Sequence, residues 1–472
     1  MSTGPTHAHP SPGAASNLTA EQISARLDRL PLRGVSRRIL LVMGAAFFFD
    51  LADQSILGIV APTLRAQLGF ELDDIAILVS CTYAGLFLGA VLGGRAADRL
   101  GRIPVIVAAL MTASIGSGLH ALTESLGVFM ALRIVSAIGM GALFVTALSY
   151  VVEISPLRRR GSRTALTYFA GMCGSAVIAT LSRFIIPSGP DGWRIFFALG
   201  VFGVLVIPFL RGIPESPLWL HSRGRYDDAE SALTRLESGT AKTESLPPVE
   251  TTESNVSVQV QDENSSGQWR NLFRGKLLRT TLLLCFIWIV YASITQTFSS
   301  WLPTILQLRG FSGESLLTIN AIAIYGSPLG CLLAFLVADR LSRRVLMVVT
   351  AVGAAICTAI YGAVPAAGII AGAAFGHFVM IAWFSPLLAA LMAESFPSNL
   401  RSTGSGVAFG AGRMSNIVVP FTLSAALTAL GPSFVGWYMT LGWLAVAVAV
   451  AVLMSKSTDS MQAPGRESVS SD

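Results

Sequence analysis

Long apolar stretches separated by short polar connections set the pattern along this chain. Twelve of them reach spanning length, at about 38–61, 73–97, 104–123, 126–151, 163–186, 193–211, 278–302, 316–338, 344–364, 367–391, 403–427 and 434–454. An α-helix rises about 1.5 Å per residue, so roughly 20 apolar residues cross some 30 Å of hydrocarbon. Gly, Ala and Ser recur inside the stretches, as close helix packing in lipid favours. The pattern predicts an all-α membrane protein of twelve transmembrane helices.

Composition agrees. Of 472 residues, 53% are hydrophobic and 13% charged, with a mean hydropathy of +0.64. Soluble domains carry about 25% charged residues, so this chain has too few to cover a wet surface and much of it must face the lipid bilayer. The net charge of +6 comes from arginines placed between apolar runs, not from a basic face with interleaved aromatics, so no nucleic-acid partner is expected. Cys81, Cys173, Cys285, Cys331 and Cys357 lie in or beside apolar runs without metal spacing and read as small hydrophobes. No Ser/His/Asp set, metal-ligand cluster or phosphate loop is present, so neither an enzyme nor a cofactor is expected, and without a Walker motif the chain is no primary pump.

The short connections divide by charge. One set carries Arg95, Arg99 and Arg102; Arg158, Arg159, Arg160 and Arg163; Arg340, Arg343 and Arg344; and Arg401. The alternate set holds few cations and the acids Glu71, Asp73, Asp74, Glu124, Asp191 and Glu314. By the positive-inside rule the basic loops and both termini are expected in the cytoplasm. Residues 1–37 form an N-terminal tail without the apolar core and cleavage site of a secretory signal, so the first run is expected to be retained. Two bundles, 38–211 and 278–454, flank a polar linker at 212–277, and 455–472 form a C-terminal tail. Within the linker Tyr226 to Leu236 reads as an amphipathic surface helix, and Ser238 to Gly267 as disordered.

The halves repeat. Asp98-Arg99-Leu100-Gly101-Arg102 returns 241 positions later as Asp339-Arg340-Leu341-Ser342-Arg343, and Glu153-Ile-Ser-Pro156-x3-Arg160 returns at the same offset as Glu394-Ser-Phe-Pro397-x3-Arg401. Two unrelated motifs sharing one offset point to two pseudo-symmetric six-helix bundles, a plan in which transporters bind solute between the repeats. Asp98, Arg99, Arg102, Glu153 and Arg160, with Asp339, Arg340, Arg343, Glu394 and Arg401, are candidate gate residues whose ion pairs can latch the cytoplasmic ends in one state and part in the other. These arginines also serve topology.

Gly94-x3-Asp98-Arg99-x-Gly101-Arg102 resembles the signature loop of the major facilitator superfamily. The Glu-x-x-Pro-x3-Arg motifs and Pro214-Glu-Ser-Pro-Leu-Trp-Leu220 resemble its sugar-porter-like branch. The resemblance covers about 38–454 and implies the major facilitator fold, two bundles rocking about a central cavity. A monomer is expected.

Ionisable residues at membrane depth are costly and are functional candidates by default. The first run holds Asp50 and Asp53, three apart and so on one helical face. At about 1.5 Å per residue, Asp53 and Arg133 of the fourth run fall at similar height. A carboxylate that alternates between a cation and a proton is a coupling device; a static pair tying the two helices is the other reading. Arg413, near mid-depth in the eleventh run beside Asn416, suggests an anion site, since guanidinium grips a carboxylate with two prongs, or else a partner for Asp50. His377 is a proton or substrate group, or a packed core histidine. Tyr291, Gln296, Trp383 and Phe384 are candidate cavity residues able to face a ring, while Trp301 can equally be an interfacial anchor.

The Asp50-x-x-Asp53 pair, Arg133 and Gly412-Arg413 resemble the bacterial aromatic acid–proton symporters. That resemblance implies proton coupling at Asp50, Asp53 and Arg133, carboxylate uptake at Arg413, and a place in the bacterial inner membrane, with a small organic anion and a proton as partners. Leu51-Ala52 departs from that family's pattern between the aspartates. A porter of sugars or of other neutral or organic metabolites, nicotinate-like or shikimate-like acids included, is the alternative, although for a sugar the fifth run lacks Gln and the seventh offers only Gln296; a non-transporting receptor of the same fold is the alternative class.

Overall fold

The computed structural model describes residues 19–241, 272–337, 343–396 and 400–461. Among them, twelve helices are long and apolar enough to cross a membrane. Spans 1 to 6 are Gly34–Leu68, Leu72–Leu100, Arg102–Leu122, Leu126–Glu153, Arg160–Ser188 and Gly192–Leu210; spans 7 to 12 are Leu277–Leu308, Gly313–Ala334, Val345–Ala363, Ala367–Met392, Thr403–Leu430 and Ser433–Met454. Every apolar run has its helix. Spans 1 and 7 outrun the apolar stretch, because a helix ends where its backbone turns and not where lipid stops. Span 1 terminates on Gly69, at φ +72°, and span 7 two residues before Gly310, at φ +89°; only glycine adopts that conformation without strain. Gly69 and Gly310 are 241 positions apart, as are Pro62 and Pro303 inside these two helices.

Packing within the two halves follows one plan. Span 1 lies on span 5 and span 7 on span 11, span 2 on span 4 and span 8 on span 10, span 3 on span 6 and span 9 on span 12. Small residues bring the axes together: a Cβ on Gly89 of span 2 would stand 2.8 Å from the Ile138 Cα of span 4. With no hydrophobic drive between helices in lipid, such close contact supplies much of the association energy. Across the halves, span 1 packs on span 7, span 2 on span 11 and span 5 on span 8, and these pairings also map onto one another under the repeat.

Short helices cover the arginine-rich face, here called the basic face. The expected amphipathic segment is a helix, Tyr226–Ala241, but not a free surface one: Leu233 and Leu236 are buried in one cluster with Ile23, Leu27 and Leu30. Their partners come from a helix in the N-terminal tail, Ala20–Asp28, opened by a capping box of Thr19 and Gln22. Arg26 forks between Glu230 (2.7 Å) and Glu237 (2.7 Å), and Arg29 joins Glu237 at 2.5 Å. Nearly all of 238–267 lies outside the described residues.

Candidate functional site: buried charges between the halves

Asp50, Asp53 and Arg133 are 3%, 5% and 0% exposed, so the acids of span 1 face the bundle interior beside span 4. Their partners differ from the expected ion pair. Asp53 Oδ1 accepts a short hydrogen bond from the Ser117 hydroxyl of span 3, and Arg133 Nε donates to Thr82 Oγ1 of span 2 at 2.9 Å. Asp53 Oδ2 and both Arg133 Nη atoms are buried without a hydrogen bond. The two charges lie within electrostatic reach of each other without forming a described ion pair. Packing leaves room for the Ser117 contact: span 6 presents Gly200 to Asp53 and Ser117, and a Cβ there would stand 3.1 Å from Asp53 Oδ1 and collide with Ser117 Oγ. Asp50 Oδ2 accepts from Gln54 Nε2 at 3.0 Å, and its Oδ1 has no partner.

Arg413 comes from the other half. Span 11 approaches span 7 closely enough that a Cβ on Gly412 would meet the Trp288 carbonyl oxygen at 2.9 Å. The next residue then carries its guanidinium over the rings of Phe409 (5.0 Å) and, across the halves, Phe144 (5.9 Å). Asp50 lies within its electrostatic reach, without a described ion pair. Half-buried, set over aromatic faces and with no ion pair among the described residues, this cation is available to an anion. Tyr291 packs edge-to-face on Trp288 and Trp443 and at a tilt on Phe384. Gln296 is 2% exposed with neither amide atom bonded, and Asn416 Oδ1 is likewise unpartnered. Trp383 is half-buried beside the fully buried Phe384.

For two residues the structure favours one of the alternative readings. His377 is fully buried, 4.3 Å from the Phe298 ring centroid, and its Nε2 accepts from Trp443 Nε1 at 2.8 Å; it packs span 10 onto span 12, although its Nδ1 has no partner. Trp301 is fully buried and anchors no interface.

The basic-face motifs form a network inside one half. Arg102 bridges Asp98 (2.7 Å) and Glu153 (2.8 Å), and the Glu215 carboxylate caps the start of span 3 by accepting from the Arg102 and Ile103 backbone N–H groups. Arg160 donates to the Ser155 carbonyl, Arg99 is exposed, and Glu394 is exposed at the end of span 10's helix. Asp339 and Arg340 lie outside the described residues, as do the side chains of Arg343 and Arg401.

The residues that join the halves were not foreseen, and they gather at the opposite face. Arg65 Nη1 donates to Gln307 Oε1 at 2.8 Å, and Gln307 Nε2 to the Pro62 carbonyl at 3.2 Å. Ser80 donates to the Ile417 carbonyl, and Thr180 pairs with Tyr325. Asp73 accepts from Ser424 at 2.6 Å, and Glu314 pairs with Arg183 at 3.0 Å. The last two contacts are mates under the repeat: Glu314 lies 241 positions after Asp73, and Ser424 lies 241 after Arg183. That offset, applied to acids at the starts of spans 2 and 8, was the available signal.

Comparison with known proteins places the chain. The family model described as sugar (and other) transporter matches residues 59–458. The putative metabolite transport protein YyaJ of Bacillus subtilis is 32% identical over 443 residues, covering 93% of this chain and 96% of its own. The niacin transporter NiaP of Acinetobacter baylyi is 27% identical, covering 91% and 96%, and the gallate transporter of Pseudomonas putida 26%, covering 93% and 97%. Among solved structures, the xylose transporter XylE from E. coli superposes with a TM-score of 0.66 at 19% identity, covering 92% of this chain and 99% of that one. The chain therefore belongs to the sugar (and other) transporter family of the major facilitator superfamily, and is a secondary transporter, not an enzyme.

Proposed function

We propose that this transporter takes up a small aromatic carboxylate with a proton, by alternating access, across a bacterial inner membrane with its basic face in the cytoplasm. One observation carries the reading: a cation of the second half, Arg413, lies over aromatic rings with no ion pair among the described residues, within reach of the buried Asp50 of the first half. Buried charge is kept at a cost, and here it is arranged for exchange and not for static pairing. An incoming carboxylate supplies Arg413 with its anion. Asp53 holds one oxygen on Ser117 and one free beside Arg133, so it can change partner, and a change of partner alters how tightly a carboxylate holds a proton. The halves meet at the face opposite the basic one, which corresponds to a state open to the cytoplasm. Two names among the relatives fit the solute class, niacin and gallate; cis,cis-muconate, named for a protein of Acinetobacter baylyi 26% identical, is an open-chain dicarboxylate that shares only the carboxylate.

A sugar-like solute is favoured by one feature, the buried Gln296 amide whose donor and acceptor are both free. Uptake into proteoliposomes separates the readings. Radiolabelled benzoate-type acids should accumulate under an imposed inward proton gradient while neutral sugars do not. Asp53→Asn should abolish accumulation yet retain exchange. Arg413→Ala should weaken carboxylate binding by about ten- to a hundredfold, as expected for a lost charged hydrogen-bond pair. Unchanged carboxylate affinity in Arg413→Ala would sink the anion site.

A further inference from the structure

A small cavity of about 20 Å³ lies beside Arg133, lined by Gln54, Gly58, Thr82, Tyr83 and, from the other half, Ser300. We infer that it is a one-water proton port to the span 1 carboxylates, and that span 7 forms its removable wall. The inference rests on the proton-coupled reading and adds where the proton enters and what admits it.

Size and lining fit one water. A site needs about 10–15 Å³ and two to four polar partners to hold one. Arg133 is fully buried and lines the cavity with both Nη atoms unpartnered. The Gln54 amide reaches from the cavity to Asp50, donating to its Oδ2 at 3.0 Å. Thr82 holds the Arg133 Nε, and the Tyr83 and Ser300 hydroxyls face each other across the halves. A water here is one hydrogen bond from Arg133 and one from Gln54, in the field of both carboxylates. Once the wall parts, protonation proceeds by a hydronium from the opened side breaking one O–H bond as one forms on a span 1 carboxylate oxygen, leaving water behind.

The wall is set directly on span 1. A Cβ on Gly58 would stand 2.8 Å from the Ser300 carbonyl oxygen and 3.1 Å from its Cα, so only glycine lets the span 7 backbone seat there. Arg65, Gln307 and Pro62, about one to two turns further along spans 1 and 7, hold the same closure. Parting the halves at this face takes Ser300 away and opens the cavity to water on that side; reseating shuts it. Proton entry is thereby tied to one conformation. The titratable and charged groups around the port and its carboxylates are, among the described residues, Asp50 and Asp53 on span 1, Tyr83 on span 2, His120 on span 3, Arg133 on span 4, Tyr168 on span 5 and Arg413 on span 11. Span 7 contributes the Ser300 hydroxyl and no charge there.

The test uses the full chain in proteoliposomes carrying an internal pH dye, with benzoate as the probe solute. Tyr83→Phe should raise the external proton concentration for half-maximal uptake about three- to tenfold, the scale of one lost hydrogen bond, while substrate exchange persists. Gly58→Ala should hold the wall off and give a solute-independent proton leak; Ser300→Ala, a milder change, should move the pH profile in the direction of Tyr83→Phe. Unaltered pH profiles in Tyr83→Phe and Ser300→Ala, with Asp53→Asn inactive for accumulation, overturn the port alone. Persistent gradient-driven accumulation in Asp53→Asn overturns the proton-coupled reading and the port with it.

Discussion

Replacing Gln307 by Ala removes two hydrogen bonds that exist only while the halves are closed at the face opposite the basic loops. One is neutral, Gln307 Nε2 to the Pro62 carbonyl at 3.2 Å; the other is charge-assisted, from Arg65 to Gln307 Oε1 at 2.8 Å. Net values are about 1 kcal/mol for a neutral bond and about 1.5–3 kcal/mol for one to a charge; Arg65 is half-buried, so the lower end of that range applies. The sum, about 2–3 kcal/mol, falls on one conformation and not on the fold, because both bonds cross between the bundles. It should shift the conformational equilibrium about 30- to 150-fold toward opening at that face. Spin labels at the ends of spans 1 and 7 would report it as a longer distance component in purified protein. Gln307→Glu keeps the Arg65 contact as an ion pair but loses the donor to the Pro62 carbonyl, so it should shift the population less than Gln307→Ala. A distance distribution identical to wild type in Gln307→Ala, in protein of unchanged thermal stability, would refute the reasoning that these bonds hold the closed face.

Further outcomes follow from contacts elsewhere. Burial pushes the Glu237 carboxyl up, but hydrogen bonds and charges from Arg26 and Arg29 outweigh it and hold it below the ordinary Glu value. Docking of Ala20–Asp28 should therefore be at full strength above about pH 4.3 and weaken as pH falls below it; anisotropy of a dye at exposed Glu21 checks this, and Arg26→Ala should give the mobile signal already at pH 7. Gly200→Val should evict the Ser117 hydroxyl from Asp53 and suppress gradient-driven uptake at least tenfold, with Gly200→Ala milder; transport in liposomes reads it, and wild-type uptake in Gly200→Val would count against the Ser117 contact. Gly89→Leu should wedge span 2 from span 4 and cost about 1–3 kcal/mol as an overpacked contact, seen as a lower unfolding midpoint in detergent.

The twelve spans were legible because a length of about 20 apolar residues is demanded by lipid, whatever the packing. Their ends were less so: the ends of spans 1 and 7 are fixed by Gly69 and Gly310, which hydropathy does not weigh. The buried height of Asp50, Asp53 and Arg133 could be read from helical rise, but their partners could not. Ser117 and Thr82 carry no signal in sequence, and Asp53 turns to Ser117 because Gly200, on a different helix, leaves room. Depth alone placed His377 near the site; its ring direction is set by Trp443, 66 positions away. The Thr19-x-x-Gln22 capping box was visible in the sequence, yet its helix lies in a polar tail and escaped a search for apolar runs. Asp73 and Glu314 were noted only as acids on the less basic side, though the 241-residue repeat pairs them.

The charged groups divide unequally: Asp50, Asp53 and Arg133 belong to one bundle and Arg413 to the other. Under the proposed reading, driving ion and cargo therefore never compete for a single side chain. Each learns of the other only through the relative tilt of two blocks, so the exchange ratio depends on the stiffness of each block. Slippage in such a machine arises from softening between helices far from any charge, and a variant can waste the gradient with every ionisable group in place.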